Sequence, residues 1–338
     1  MKSVLLVANP TAQSGKNAER IERALAELRA LEIHAELFPT LPGGKTVPAL
    51  AERLRPGGDP VVVSMGGDGT FREVAAGILD SGRGEQLVMG MLPTGTANDQ
   101  GKSFGLEATD AALGRNVRVL VAGNETRLDA GRLELCTPAG EVERSEWFFD
   151  SAGFGLSARV LAVRNQDRQV VDKLGPLKEL YRDQLVYAGA LLRTFLEAQV
   201  IDDKFSAVVE ADDETHTYHG LTDLVIKGTR VYGGAWVFDA ESRHDDGKFE
   251  LVVFRSKREW VSKAFVDLDG NPIDDAMLAP LGVEHSRPIA AAHFDITLAP
   301  EGEVPIAAQM DGEELQPCYQ VRIAVVQGAI RLIVPREG

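Results

Sequence analysis

Short apolar runs alternate with segments of helical periodicity through about the first 125 residues of the chain. Apolar runs predict strands at residues 4–8, 33–38, 61–65 and 87–92. Between the first two runs, apolar side chains recur at the spacing of one helix face. They predict a helix over residues 18–31 with an inward face formed by Ile21, Leu25, Leu28 and Leu31. This alternation of strands and helices is typical of a parallel, doubly wound sheet.

After about Asp129 the pattern changes to short segments in which apolar and polar positions alternate. They predict strands at residues 205–210, 221–227, 249–254 and 294–298, and a last hairpin in which residues 321–326 and 330–334 flank Gln327-Gly328. A helical insert is predicted over residues 174–197. We therefore expect an α/β plus all-β protein. Its N-terminal doubly wound α/β domain would span residues 1–127, and its C-terminal antiparallel β-sandwich domain residues 128–338, with the option that the last residues return to the first domain.

The charge, the apolar stretches and the cysteines of the chain argue against several classes of protein. Lys and Arg number 36 against 51 Asp and Glu, and the resulting net charge of −15 argues against general nucleic-acid binding. No apolar stretch reaches the ~18 residues that span a bilayer. The two cysteines, Cys136 and Cys318, are far apart and predict neither a disulfide framework nor a zinc site. Because Asn9-Pro10 interrupts the first apolar run, we expect no signal peptide and a cytoplasmic protein.

The turn after the third predicted strand, Gly66-Gly67-Asp68-Gly69-Thr70, carries the clearest chemistry. Glycines let backbone N–H groups approach a phosphate, and the helix that follows adds the positive end of its dipole. Asp68 would repel bare phosphate, which suggests a Mg²⁺ ion between this acid and a nucleotide. A dinucleotide fingerprint is excluded because Arg72 stands where its third glycine belongs, and Gly15-Lys16-Asn17 does not complete a Walker A loop.

Two further polar turns follow predicted strands, at residues 9–16 and at residues 93–99, and the second contains Asp99. The carboxyl ends of parallel strands meet at one edge of a sheet, where ligands bind. The alternative is that these are ordinary strand-to-helix turns in which Thr70, Asn98 or Asp99 caps a helix. The coincidence of the turns favours a ligand site.

These residues resemble the diacylglycerol kinase catalytic domain, a family that includes sphingosine, ceramide and bacterial lipid kinases. The N-terminal part of the resemblance lies in residues 66–70 with Glu73, in residues 93–99, and in Asn9-Pro10 ahead of Ser14-Gly15-Lys16. It continues through Asp129-Ala130-Gly131, Gly153-Phe154-Gly155, Tyr232-Gly233-Gly234, Asp246-Gly247 and Asp311-Gly312-Glu313. NAD kinases share the first glycine-rich turn, so the downstream motifs give the resemblance its specificity.

The resemblance implies an ATP-dependent, Mg²⁺-dependent lipid kinase that phosphorylates a diacylglycerol-like hydroxyl, with ATP bound between the two domains. It implies nucleotide contacts at Asn9, Pro10, Thr11, Thr40, Gly66, Gly67, Asp68, Gly69, Thr70, Phe71, Arg72, Glu73, Thr96 and Asn98. Asp68 and Asp99 match acids around the catalytic Mg²⁺, and Glu313 matches the proposed proton acceptor. The residues alone favour an acid in a solvent-facing hairpin turn for Glu313, and only the resemblance favours the catalytic role; Glu314 is the neighbouring candidate.

The resemblance also implies a structural Mg²⁺ held by the carboxylate of Asp246 and the main-chain carbonyls of Arg243 and Lys248. The alternative is an Asp-Gly turn without a metal. Arg72 departs from the family pattern, in which an Asn usually precedes the Glu. The extra cation could pair with phosphate or with Glu73.

The remaining expectations concern partners. A lipid kinase must reach a membrane surface, and basic and apolar residues from Arg159 to Arg193 surround the predicted insert as an interfacial segment would require. A solvated helix face is the alternative. A homodimer is left open. The functional alternatives are an NAD kinase-like phosphotransferase and a nucleotide-binding regulatory protein without catalysis.

Overall fold

The structure is a computed structural model that describes residues 3–58, 60–95, 98–162, 204–230, 241–260 and 287–336. Its N-terminal part alternates strands and helices. The elements are β1 (Ser3–Ala8), α1 (Lys16–Ala30), β2 (His34–Pro39), α2 (Thr46–Leu54), β3 (Val61–Gly66), α3 (Asp68–Asp80), β4 (Val88–Pro93), α4 (Asp99–Ser103) and α5 (Leu113–Ala122). The strands pair in parallel in the order β2-β1-β3-β4, which confirms the predicted doubly wound sheet.

Helices cover both faces of this sheet because successive strand residues point to opposite faces. Leu5 and Val7 pack against α2 and α3, whereas Val4 and Leu6 pack against α1 and α5. The α1 face at Ile21 and Leu28 is buried as predicted. Leu31 is different: the helix ends at Ala30, and the side chain of Leu31 is 45% exposed.

The C-terminal part is built from antiparallel strands. They are β5 (Glu125–Cys136), β6 (Val142–Phe148), β7 (Ser151–Gly155), β8 (Phe205–Ala211), β9 (Glu214–Leu221), β10 (Asp223–Lys227), β11 (Phe249–Phe254), β12 (Ile289–Ala291), β13 (His293–Pro300), β14 (Ala308–Met310), β15 (Glu313–Leu315) and β16 (Gln320–Ile333). A sheet in the order β12-β11-β10-β7-β14-β15 packs on the inner faces of β5, β8, β13 and β16. Their shared apolar core confirms the expected antiparallel sandwich.

The predicted C-terminal hairpin is wrong. Residues 320–333 form the single strand β16, which pairs with β5 on both sides of a register shift between Val326 and Ile330. Gly328, with a φ of 58°, makes a bulge instead of a reversal, and its N–H donates to Asp129 Oδ1 on β5 at 2.6 Å. The pair Gln327-Gly328 is typical of a hairpin turn, but here it forms a bulge within one continuous strand.

Strand β16 also joins the two halves of the molecule. It pairs in parallel with β4 and antiparallel with β5 and β13, so one ten-stranded sheet runs through both parts. The boundary between residues 127 and 128 stays a prediction. The predicted insert at residues 174–197 and the motif at 232–234 lie outside the described residues. Within the described part of the chain, no helix is long and apolar enough to cross a membrane.

Candidate active site

The predicted nucleotide residues lie where the parallel strands end. In the register of the sheet, Ala8 is opposite Pro39 and Met65, and Gly66 is opposite Pro93, so the following loops share one edge. The N–H of Thr40 donates to Ala8 O at 2.9 Å, which holds Thr40 beside the β1 loop.

The loop after β1 is held in shape by its own polar groups. Asn9 Oδ1 accepts hydrogen bonds from Thr11 N at 3.0 Å and Thr11 Oγ1 at 2.8 Å, around Pro10. The buried Asn17 donates from Nδ2 to Asn9 O at 2.7 Å. The loop is therefore preformed beside Thr40, at the edge where a ligand would bind.

The two glycine-rich turns pack against each other through their main chains. Thr94 N donates to Gly66 O at 2.8 Å, and a Cβ added to Gly95 would lie 2.6 Å from Gly67 Cα. The Thr70 side chain lies over Gly66. The sequence suggested that glycines are needed for a ligand to approach. Here they are also needed for one turn to approach the other.

Helix capping does not explain these turns. Helix α3 begins at Asp68, so Thr70 lies inside it and cannot be its N-cap. Asn98 does precede α4, with a φ of 53°, but its side chain exchanges hydrogen bonds with the main chain of Gly95 instead of capping the helix. Phe71 is buried and packs edge-to-face on Phe149, so its side chain belongs to the core. Thr96 lies outside the described residues.

The two candidate metal-binding acids start neighbouring helices. Asp68 is the first residue of α3, and Asp99, which is buried, is the first residue of α4. Asp68 Oδ1 accepts the N–H of Gln100 at 3.2 Å, which ties the first turn to the second. Burial raises the pKa of Asp68, and the N–H groups of Gln100 and Asp99 oppose that rise.

The Asp311-Gly312-Glu313 turn is anchored by its first residue. Asp311 is buried, and its carboxylate accepts the N–H groups of Phe149 at 3.0 Å, Asp150 at 2.9 Å and Ser151 at 3.1 Å. Burial raises its pKa to about 6, although Arg72 and these N–H groups act in the opposite direction. Asp311 therefore fixes the main chain from which Glu313 projects.

Glu313 lies against the glycine-rich turn of the other half of the molecule. Its Oε1 is 3.6 Å from the position that a Cβ on Gly69 would occupy. Glu313 and Glu314 are successive residues of β15, so their side chains point to opposite faces of that strand. The side chain of Glu313 is 54% exposed, which leaves its carboxylate accessible at the cleft.

Asp150 is a further acid of this site that the sequence did not single out. It is buried, and its Oδ1 accepts the hydroxyl of Thr229 at 2.6 Å. Burial, followed by the nearby charges of Asp99 and Asp311, raises its pKa well above the usual range. The available signal was an acid directly after the apolar pair at residues 148–149.

Arg72 does not form the expected ion pair with Glu73, and its pairing with phosphate stays a prediction. Its guanidinium forms ion pairs with Glu146 at 3.1 Å and, at closer range, with Glu313. Glu73 lies beside it without such a pair. Burial raises the pKa of Glu73, while the hydroxyl of Thr46 and the charge of Arg72 lower it.

The residues of the predicted structural metal site form a turn that packs on Asp129. Asp129 Oδ2 accepts the N–H of Gly247 at 2.6 Å, Asp246 Oδ1 accepts that of Lys248 at 3.0 Å, and Arg243 pairs with Asp245. Burial raises the pKa of Asp129, and Asp246 and Asp245 raise it further. A divalent cation would offset this repulsion, and the metal at this turn stays a prediction.

Magnesium coordination would need oxygen ligands from outside the protein. Among the described residues, no three His, Cys, Asp or Glu side chains converge into a metal site. Mg²⁺ usually takes one or two carboxylates and completes its shell with substrate phosphates and water. Asp68 and Asp99 fit that requirement as a pair beside a phosphate loop.

Comparisons with known proteins agree with this architecture. The model of the diacylglycerol kinase catalytic domain matches residues 3–133. A Salmonella schwarzengrund protein named "Probable lipid kinase YegS" is 33% identical over 335 residues, which covers 96% of this chain and 95% of the relative.

Solved structures support the fold at lower identity. A diacylglycerol kinase structure from Bacillus anthracis str. Sterne has a TM-score of 0.68 and 18% identity, covering 99% of this chain and 98% of its own. Yeast NADH kinase complexed with NADH has a TM-score of 0.52 and 10% identity, covering 100% and 84%. Both likenesses confirm the predicted fold class. With 33% identity to a relative across 96% of its length, and the domain match at its N-terminal part, the chain belongs to the diacylglycerol kinase catalytic-domain family.

Proposed function

We propose that this protein transfers the γ-phosphoryl group of ATP to a hydroxyl group of a diacylglycerol-like lipid, with Mg²⁺ as cofactor. The observation that carries the proposal is the position of Glu313. An acid from the C-terminal sandwich lies 3.6 Å from the Cβ position of Gly69, directly over the glycine-rich turn of the N-terminal sheet. The candidate proton acceptor and the candidate phosphate cradle therefore face each other.

Each part of the site has a role in this reaction. The backbone of residues 66–70 and the N-terminus of α3 would hold the phosphates. Asp68 and Asp99 would hold Mg²⁺, which neutralises charge on the phosphates when bound. The lipid hydroxyl oxygen forms a bond to the γ-phosphorus, the bond to the β-phosphate oxygen breaks, and Glu313 accepts the hydroxyl proton as ADP leaves.

The lipid acceptor is supported by the relatives' names. We further propose that the protein reaches its substrate at a membrane surface. The basic and apolar segment expected to make that contact lies mainly outside the described residues. An NAD kinase-like reaction remains a second candidate, because an NADH kinase shares this fold.

A transfer assay with γ-labelled ATP tests the proposal. The acceptors are diacylglycerol, sphingosine and phosphatidylglycerol in mixed micelles, and NAD in solution. We expect label in a lipid, loss of transfer in Asp68→Asn, and retention in the matched variant Asp213→Asn, which removes an exposed acid from the turn between β8 and β9.

Other outcomes point elsewhere. Label in NAD but in no lipid would indicate the NAD kinase-like reaction. If no acceptor is labelled although the protein binds ATP, the protein would be a nucleotide-binding regulator, and the proposed catalysis would be refuted.

A further inference from the structure

A chain of alternating charges links helix α3 to the C-terminal strands. Arg72, on α3, pairs with Glu313 on β15 and with Glu146 on β6, and Glu146 in turn pairs with Arg144. Arg72 is separated by 74 residues from Glu146 and by 241 from Glu313. This chain therefore connects the nucleotide end of the molecule to the strand that carries the candidate proton acceptor.

Arg72 is well placed to act on Glu313. Its side chain is only 13% exposed, whereas that of Glu313 is 54% exposed. Burial alone would lower the pKa of the guanidinium, but the charges of Glu313 and Asp311 raise it above its ordinary value. Arg72 is therefore a buried, charged group beside the more exposed and more flexible side chain of Glu313.

We propose that Arg72 is a positioning residue that holds the carboxylate of Glu313 against the glycine-rich turn, with Glu146 as the anchor of its guanidinium. This assignment rests on the proposed function and deepens it. Asp311 fixes the main chain of the turn, but a glutamate has rotatable bonds beyond its Cα. The Arg72 pair limits those rotations, so the acceptor oxygen is in place before the lipid arrives.

The anchor matters because an arginine is itself long and flexible. Glu146 accepts from Nη1 of Arg72 at 3.1 Å, and the Glu313 carboxylate accepts from Nη2. A planar guanidinium with two carboxylates on different nitrogens has a defined plane. Lysine would preserve the charge at this position but not the two-sided geometry.

The test compares Arg72→Ala, Arg72→Lys and Glu146→Gln with the wild type in steady-state lipid phosphorylation and in ATP titration by calorimetry. The matched control is Arg53→Gln, which removes an arginine from an exposed ion pair with Glu36 at 2.9 Å. We expect Arg72→Ala to lower kcat by about 10²-fold, the cost of a misplaced reacting group, with KM for ATP and ATP affinity unchanged. The kcat values of Arg72→Lys and Glu146→Gln should fall between those of Arg72→Ala and the wild type.

A chemical rescue separates positioning from general structural damage. Millimolar guanidinium chloride should restore part of the kcat of Arg72→Ala, whereas sodium chloride at equal ionic strength should not. A loss that neither salt restores would contradict the assignment. So would a loss of ATP affinity at unchanged kcat, because Arg72 would then be a phosphate ligand.

The two proposals fail in different ways. If the wild type phosphorylates lipid and Arg72→Ala keeps the wild-type kcat, the positioning role is refuted and the kinase stands. If the wild type transfers phosphate to no acceptor, the proposed function is refuted and this assignment falls with it.

Discussion

Substitution of Gly95 by alanine tests whether the two glycine-rich turns must touch. The added Cβ would lie 2.6 Å from Gly67 Cα and 3.1 Å from Gly67 N. Carbon atoms in contact are about 3.5–4.0 Å apart, so the turns would have to separate by about 1 Å. Asn98 Oδ1 also lies 3.1 Å away, but the closest atom, Gly67 Cα, belongs to the main chain, so no side-chain rotation can relieve the clash.

The expected loss in the free energy of unfolding follows from that displacement. Overpacking of this kind costs about 1–3 kcal/mol, and separation weakens the bond from Thr94 N to Gly66 O, which is worth about 1 kcal/mol. We expect Gly95→Ala to lower the free energy of unfolding by roughly 2–4 kcal/mol. Because Asp68 and Asp99 are carried by these turns, ATP affinity should fall as well.

Urea unfolding and ATP titration by calorimetry measure both effects. Gly302→Ala is the matched control, because nothing lies within 4 Å of its added Cβ; its unfolding free energy and ATP affinity should stay near those of the wild type. Equal stability and equal ATP affinity in Gly95→Ala and the wild type would refute the packing argument.

Two further predictions concern buried and clustered acids. Burial raises the pKa of Asp311 from 3.8 to about 6. As the pH falls, the folded protein therefore binds this proton at a higher pH than the unfolded chain does. The stability that this proton contributes is lost as the pH rises from about 4 to about 6. Urea unfolding at several pH values should show the wild type losing roughly 3 kcal/mol relative to Asp311→Asn across that range; a pH-independent difference would contradict the burial argument. Mg²⁺ at 100 times the Kd of the Asp246 turn should add about 2.7 kcal/mol to the free energy of unfolding of the wild type. Its melting temperature should therefore rise more than that of Asp246→Asn, and equal rises in both proteins would count against a metal in that turn.

The strands of the first sheet that are runs of apolar residues could be predicted from the sequence. Strands β1, β3 and β4 are runs of mainly apolar residues buried on both faces, and each lies within one residue of its predicted bounds. Predicting the site at their carboxyl ends required only the rule that parallel strands end together.

Features that depend on residues distant in the sequence could not be predicted from local pattern. The Gln327-Gly328 pair looks like a hairpin turn locally, but Asp129 on β5 binds Gly328 N and keeps the strand in its ladder. The partners of Arg72 are likewise distant, and no spacing in the sequence indicates which carboxylates a lone cation will meet. The sequence does not indicate Asp150, because a single acid after two phenylalanines does not form a motif.

We propose above that Glu313 accepts the proton of the lipid hydroxyl. The most direct measurement is kcat for lipid phosphorylation by Glu313→Gln and by Glu314→Gln, with ATP affinity measured in both variants. Since the two side chains point to opposite faces of β15, we expect a loss of about 10²–10⁴-fold in kcat for Glu313→Gln and a kcat near the wild type for Glu314→Gln. Wild-type turnover in Glu313→Gln, or the larger loss in Glu314→Gln, would contradict it.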